Sequence, residues 1–334
     1  MGLRLPDKWV WDFWLVRDGG DHHIFYLQAP RMLERPSLRH HHASIGHAVS
    51  RDLRSWEILP DALHPGPEGS WDDLATWTGS AIDHGGRWYM LYTGICRREQ
   101  GLVQRIGLAV SDDLVRWQKH AANPVLEADP RWYELLDESR WRDQSWRDPW
   151  LFRNADDGRF HSLITARSPT GPRDSAGVVA HGHSRDLVTW EVLPPLTSPG
   201  EFAQVEAPQL VRMNGRFEIL VSCLAEDHSQ ARIERLGIPG RTGTFVFSAD
   251  RLAGPYSAAA DPIAAPGGPL GTLYAGKLLE AEGSWRFMAF RGDGDRDFLG
   301  ELTDPLPVLS EADGRIVVKY PRSAASRPEG ISPR

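Results

Sequence analysis

Apolar and polar residues alternate with a period of two along short stretches of this chain, and several of the stretches open on or near an aromatic residue. IFYLQA from Ile24, RWYMLYTG from Arg87, RFHSLITA from Arg159, RFEILVSC from Arg216 and SWRFMAF from Ser284 share this form. Period two sends successive side chains to opposite faces, so each run predicts a half-buried β-strand. Ahead of these runs stand more continuously apolar ones interrupted by polar residues: VWDFWLV, TGSAI, RDPWLF, VEAPQLV and TLYAGKLL. A third phrase follows. It reads IGHAVSRDLRSWEIL from Ile45, IGLAVSDDLVRWQKH from Ile106 and VAHGHSRDLVTWEVL from Val179, with a weaker copy, GTFVFSADRLAGPYSAA, from Gly243. Each copy predicts a strand, a turn on Ser-x-Asp-Leu, then a second strand opening at Trp56, Trp117, Trp190 or Tyr256. Aspartate suits such a turn because its carboxylate can accept from nearby backbone N–H groups.

The succession predicts an all-β chain of five units with about four antiparallel strands each. A five-bladed β-propeller satisfies it, since radial repetition leaves only short sheet edges. Helical spacing has one good candidate, RWYELLDESRW over 131–141, in a long insertion. No linker divides the chain. One propeller domain is expected over 1–321, followed by a Pro/Ser/Arg-rich tail over 322–334 that is expected to be disordered.

Composition narrows the partners. Of 334 residues, 41% are hydrophobic and 25% charged, as in ordinary soluble proteins. A net charge of -7 without a basic patch argues against nucleic acid. No run reaches the roughly 18 apolar residues of a membrane span. The N-terminus, MGLRLPDKWVWDFW, lacks the apolar core of a signal peptide, so a cytoplasmic protein is expected. Cys96 and Cys223 cannot build a disulfide framework or a zinc site by themselves and read as reduced thiols. Fourteen tryptophans offer more flat aromatic surface than a core needs, which suits the apolar faces of a small carbohydrate. Neither an organic cofactor nor a metal is implied.

The stretch SWRDPWLF from Ser145 sets an arginine and an aspartate among apolar residues, with proline next. Buried charge is costly unless paired or used. Proline cannot donate to a ladder and marks an edge, a strand start or a bulge. In a propeller the first strand of each blade lines the central channel, and three such strands each bring an acid near their start: Asp12, Asp148 and Glu206. Singly, each aspartate reads as a strand-end residue satisfied by backbone N–H groups. Three at equivalent places read as a carboxylate cluster at one mouth of the channel. Such a cluster can bind a metal or cleave a glycosidic bond, which needs one protonated acid and one ionised partner. Crowded like charges keep one group protonated near neutrality. Trp11, Trp14, Trp77, Trp146 and Trp150 lie close in sequence to these strands, and Arg147 could clamp sugar hydroxyls or hold Asp148 ionised.

Other polar groups read more plainly. His40-His41-His42, with His22 and His23, lack zinc-type spacing and suggest a solvated or substrate-side loop. His47 and His181 fall within strands as packed or hydrogen-bonded residues. Asp137 and Asp143 belong to a salt-bridged insertion that could serve as a lid or acceptor subsite. Asp293, Asp295 and Asp297 read as turn acids, with calcium as a weaker reading.

From Ile45, the run IGHAVSRDLRSWEILPDALHPGPEGSWDDLATWTGSAID resembles glycoside hydrolase family 32, the invertase and fructanase family. Arg147-Asp148-Pro149 matches its Arg-Asp-Pro triplet, Glu206-Ala207-Pro208 is similar to its Glu-Cys-Pro motif, and Tyr274-Ala275 to a late Tyr-Ala element. The matches keep the family's order from about residue 9 to 305. The resemblance implies a five-bladed propeller and a retaining reaction on β-fructofuranosides. Asp12 would be the nucleophile, Asp148 would stabilise the oxocarbenium-like transition state, and Glu206 would be the general acid and then base. Trp77, Thr78, Ser80 and Tyr274 would join Trp11, Trp14, Gln28 and Arg147 in binding the sugar. The family's Asn-Asp-Pro-Asn-Gly is replaced here by Trp11-Asp12-Phe13-Trp14-Leu15, which keeps only the acid. The usual C-terminal β-sandwich has no counterpart in the sequence, as in families 68 and 43. Three alternatives stand beside retaining hydrolysis: an inverting arabinosidase or xylosidase of the family 43 type, fructosyl transfer, and a non-catalytic carbohydrate-binding propeller.

Overall fold

The structure, a computed structural model, describes residues 2–264, 268–293, 297–311 and 315–320. The tail over 322–334 and Asp295 lie outside the described residues, as do the side chains of Asp293 and Asp297.

Five antiparallel sheets follow one another along the chain, each built from one contiguous stretch. The first blade comprises Lys8–Asp18, Asp21–Pro30, Ser44–Ser50 and Glu57–Leu63. Ala75–His84, Trp146–Arg153, Glu206–Met213 and Thr272–Ala281 are the innermost strands of the other four. All five apolar runs anticipated as first strands therefore hold that place, and each innermost strand touches those of both neighbouring blades. The fifth blade carries an extra strand, Asp297–Leu302, which leans on the innermost strand of the first blade. There the ring closes without a connecting peptide: Leu302 N–H donates to the Leu3 carbonyl at 2.9 Å, and Arg31 Nη2 donates to the carbonyls of Leu299 and Gly300 at 3.0 Å.

The recurring Ser-x-Asp-Leu phrase folds the same way three times. Asp52, Asp113 and Asp186 each accept through Oδ1 from the backbone N–H groups two and three residues on, at 2.7–3.0 Å. The following leucines, Leu53, Leu114 and Leu187, take positive φ of 59°, 62° and 67° and are buried between strands. Leucine in this conformation is strained. Burying its side chain and satisfying the turn's N–H groups offset that cost.

Helical spacing over 131–141 does not produce a helix; the segment is a series of turns. Tertiary anchors override the local preference: Tyr133 Oη donates to the Leu193 carbonyl at 2.6 Å, and Glu134 receives the buried Arg167 at 3.1 Å. The α-helix among the described residues is Gln230–Leu236, capped by Ser229 and ended by Gly237 at φ 66°.

Candidate active site

Every innermost strand is interrupted at the same depth. Asp12, Thr78, Asp148–Pro149, Ala207–Pro208 and Ala275–Gly276 drop out of the ladder as bulges. A bulge bends its strand and re-aims a side chain. In three blades the central bulge residue is a non-glycine with positive φ: Asp148 at 58°, Ala207 at 51° and Ala275 at 49°. Each such residue stores on the order of 1–3 kcal/mol of backbone strain. The acid and proline of SWRDPWLF thus mark a bulge at the channel mouth.

Asp12, Asp148 and Glu206 come from the first, third and fourth blades and line one cavity of about 630 Å3, together with Trp11, Trp77, Thr78, Arg147 and Tyr274. Thr78 Oγ1 donates to Asp12 Oδ2 at 2.8 Å. Asp148 Oδ2 accepts from Thr165 Oγ1 at 2.9 Å and from the Ala207 N–H at 3.0 Å. Glu206 is gripped on both oxygens, by Arg147 Nη2 at 2.5 Å and by the Tyr274 hydroxyl at 2.6 Å. Beneath them Lys277 is fully enclosed and donates to the Ala207 carbonyl at 2.6 Å.

These contacts divide the carboxyls electrostatically. Burial, and then the Asp148 charge, push Asp12 up to about 7, against the pull of Thr78. Asp148 is likewise raised, chiefly by burial, with Arg147 opposing. Glu206 is equally enclosed, yet Arg147 and Tyr274 outweigh its burial and hold it below the usual glutamate range. Burial and the Glu206 charge keep the Tyr274 phenol protonated, as its donor role requires. Lys277 is drawn down to about 8 by burial. In the free site the proton of the cluster therefore rests on the Asp12–Asp148 pair, while Glu206 is ionised.

Sequence reasoning did not find Arg39, Arg142, Phe290 or Phe298, which also line the cavity. Arg39 lies in a short 3-10 segment, Pro36–His42, and its guanidinium sits 4.0 Å above the Phe298 ring. Burial lowers it to about 10, against the attraction of Asp12 and Glu206. His40 of the same segment lines the cavity too, and its carbonyl accepts from Trp77 Nε1 at 2.7 Å, so the histidine run is a pocket-side loop. Asp143 stands at the wall, 3.7 Å from Arg147.

Three expected sugar contacts are corrected. Trp14 lies two residues beyond the bulge at Asp12, where the strand has turned into the core, and stacks on Phe25 at 5.9 Å between ring centroids. Gln28 is buried between strands and donates to Ser44 Oγ at 3.3 Å. Ser80 clamps the neighbouring bulge instead: its hydroxyl donates to the Pro149 carbonyl and accepts from the Leu151 N–H, both at 2.7 Å. Trp146 and Trp150 also stay outside the cavity, packed in the core of the third blade and against Lys277 respectively. Trp14→Ala is accordingly expected to destabilise the protein by about 3–5 kcal/mol in denaturant titration while leaving KM for sugar unchanged.

Comparison with known proteins places this geometry. Residues 12–238 match the model for the glycosyl hydrolases family 32 N-terminal domain. An extracellular sucrase of Zymomonas mobilis is 26% identical over 91% of this chain and 79% of its own length. The cell wall isozyme of β-fructofuranosidase from Pisum sativum is 32% identical over 58% of this chain, which spans only 32% of that relative. Those names place the relatives outside the cell, so the cytoplasmic expectation draws no support from them. Among the described residues no helix is long and apolar enough to cross a membrane. Among solved structures, an inulosucrase from Halalkalicoccus jeotgali bound to kestose superposes with a TM-score of 0.78 at 25% identity, covering 95% of this chain and 89% of that one. A Bombyx mori family 32 β-fructofuranosidase gives 0.70 at 21% identity, covering 96% and 64%. The five-bladed ring, the acids gathered at its bulges and the family match over most of the chain together make this protein a member of glycoside hydrolase family 32.

Proposed function

We propose that this chain, a glycoside hydrolase of the fructofuranosidase type, cleaves β-fructofuranosyl linkages of sucrose or short fructo-oligosaccharides with retention of configuration. The observation that supports this reading is the meeting of Asp12, Asp148 and Glu206 in one cavity large enough for a small sugar. In the proposed reaction an Asp12 oxygen attacks the anomeric carbon while Glu206 gives its proton to the departing oxygen. A fructosyl–Asp12 ester results. The Glu206 carboxylate then takes a proton from water, whose oxygen attacks the same carbon and frees Asp12. Asp148 and Arg147 hold the glycone hydroxyls, with Thr78, Trp77 and Tyr274 around the ring.

This sequence needs the proton on Glu206 and the charge on Asp12, the reverse of the free site. Arg147 supplies the switch. A sugar hydroxyl that draws its guanidinium away removes the main cause of the low Glu206 pKa, so the carboxyl rises as the glycone seats.

Methanol supplies the test. A retaining enzyme working on sucrose in aqueous methanol transfers fructose to give methyl β-fructofuranoside. An inverting one gives no β-glycoside, and that result would replace the nucleophilic role of Asp12 with that of a base. The superposition on an inulosucrase favours transfer to sugar as a second reading. Kestose-type products at high sucrose would establish it, whereas glucose and fructose in equal amounts would establish hydrolysis.

A further inference from the structure

We propose that the third blade carries, away from the sugar pocket, a site for a first-row divalent cation of the zinc type, built by Asp157, His161 and His183 with Glu191 beside them. One ligand atom from each of the first three lies within 4.8 Å of the others. They form a row across three strands. His161 faces His183 on the next strand, and His183 faces Glu191 on the outermost. Asp157 enters from the hairpin preceding His161. None of these residues lines the sugar cavity.

The central ligand is already oriented. His161 is buried, its ring stacks on Phe152 at 5.3 Å, and its Nδ1 is 2.8 Å from His181 Nε2. Metal-bound histidines characteristically have their second nitrogen fixed in this way. That leaves Nε2 directed at Asp157 Oδ2, 2.9 Å away. Atoms sharing a tetrahedral zinc stand about 3.3 Å apart, so this pair is near the required spacing and His183 completes it by a small approach.

An arginine shares the end of the row. His183 Nε2 lies 2.8 Å from Glu191 Oε2 and 2.8 Å from Arg159 Nη1. Arg159 Nη1 also lies 3.2 Å from His183 Nδ1, which can accept from the guanidinium while Nε2 donates to Glu191. Arg159 thus puts a positive charge where these ligands converge. It is half-buried, and binding of a metal would require it to swing outward. The first blade provides an internal contrast. There His23 Nδ1 and His47 Nε2 pair at 2.9 Å in the same arrangement, but Val49 occupies the place of His183. The histidine pair is therefore a blade feature, and the third ligand is what distinguishes the third blade.

Calorimetric titration of tag-free protein with ZnCl2, and the visible spectrum of bound Co2+, test the site. The expected result is saturation at one Zn2+ per chain, an intense four-coordinate Co2+ band and a raised thermal midpoint, with sucrose turnover unchanged. Asp157→Ala and His183→Ala change exposed or half-buried residues and should each weaken binding at least about tenfold. Arg159→Ala should tighten it. His41→Ala/His42→Ala should leave it as it was. Undiminished Zn2+ binding by the Asp157→Ala/His183→Ala double variant, or only a weak six-coordinate Co2+ spectrum, would overturn the proposal.

Discussion

Asp12→Asn is expected to lower kcat on sucrose by about 10^4-fold or more, which corresponds to on the order of 5–6 kcal/mol of barrier. The amide keeps the shape of the carboxyl and can keep the Thr78 contact, but it cannot form the ester. Glu206→Gln should lose about 10^2–10^4-fold, the usual range for a missing acid–base group. The two differ in what restores them. Azide needs no general base, so it should revive Glu206→Ala on a substrate with a good leaving group and yield a fructosyl azide. It should do nothing for Asp12→Asn. Robust sucrose turnover by either Asp12→Asn or Glu206→Gln in folded protein would dismantle the proposed roles. The wild-type profile follows from the same cluster. Asp12 is raised to about 7 and Asp148 is raised beside it, so the pair titrates together and kcat/KM should fall as pH rises past neutrality.

The second large effect is on stability, and it has the opposite sign from the loss of activity. Asp12 titrates near 3.8 when unfolded and near 7 when folded. Between those values the folded state holds a proton that the unfolded state has released. Stability therefore declines as pH rises from about 4 to about 7. Three units correspond to about 4 kcal/mol, and access of water from the pocket reduces this to roughly 2–3 kcal/mol. Asp12→Asn removes the penalty. At pH 8 the variant should melt several degrees above wild type, and below pH 4 the two should converge. Identical melting at pH 8 would show that Asp12 ionises without strain. The expected rise would instead make the nucleophile a case of function bought with stability.

The architecture was legible because its signals are local and repeated. Period-two strands and the Ser-x-Asp-Leu turn require only neighbouring residues, and each reappeared where expected. The three acids were legible for the same reason, by their equivalent position in repeated strands. The walls of the pocket were less so. Arg39 reaches the cavity from a loop whose sequence, PSLRHHH, carries no strand period, and its place is fixed by Trp11 and Phe298. Trp14, expected at the sugar for its nearness to Asp12, and Ser80, expected there from the family resemblance, follow bulges that re-aim the side chains after them. Over 131–141, apolar spacing suited a helix, but Tyr133 and Glu134 answer to partners 60 and 33 residues away.

Four of the five joints between blades are crossed by the chain itself. The fifth, between the outermost ends of the described sequence, is held by the Leu302–Leu3 backbone hydrogen bond, by Arg31 and by Trp9 and Trp11 against Phe298. Asp12 stands on one side of that joint and Tyr274 on the other. A small parting of the ring there, as on gentle warming, would pull the phenol and the nucleophile away from each other while every sheet stayed intact. Catalysis should then fade before circular dichroism registers any melting.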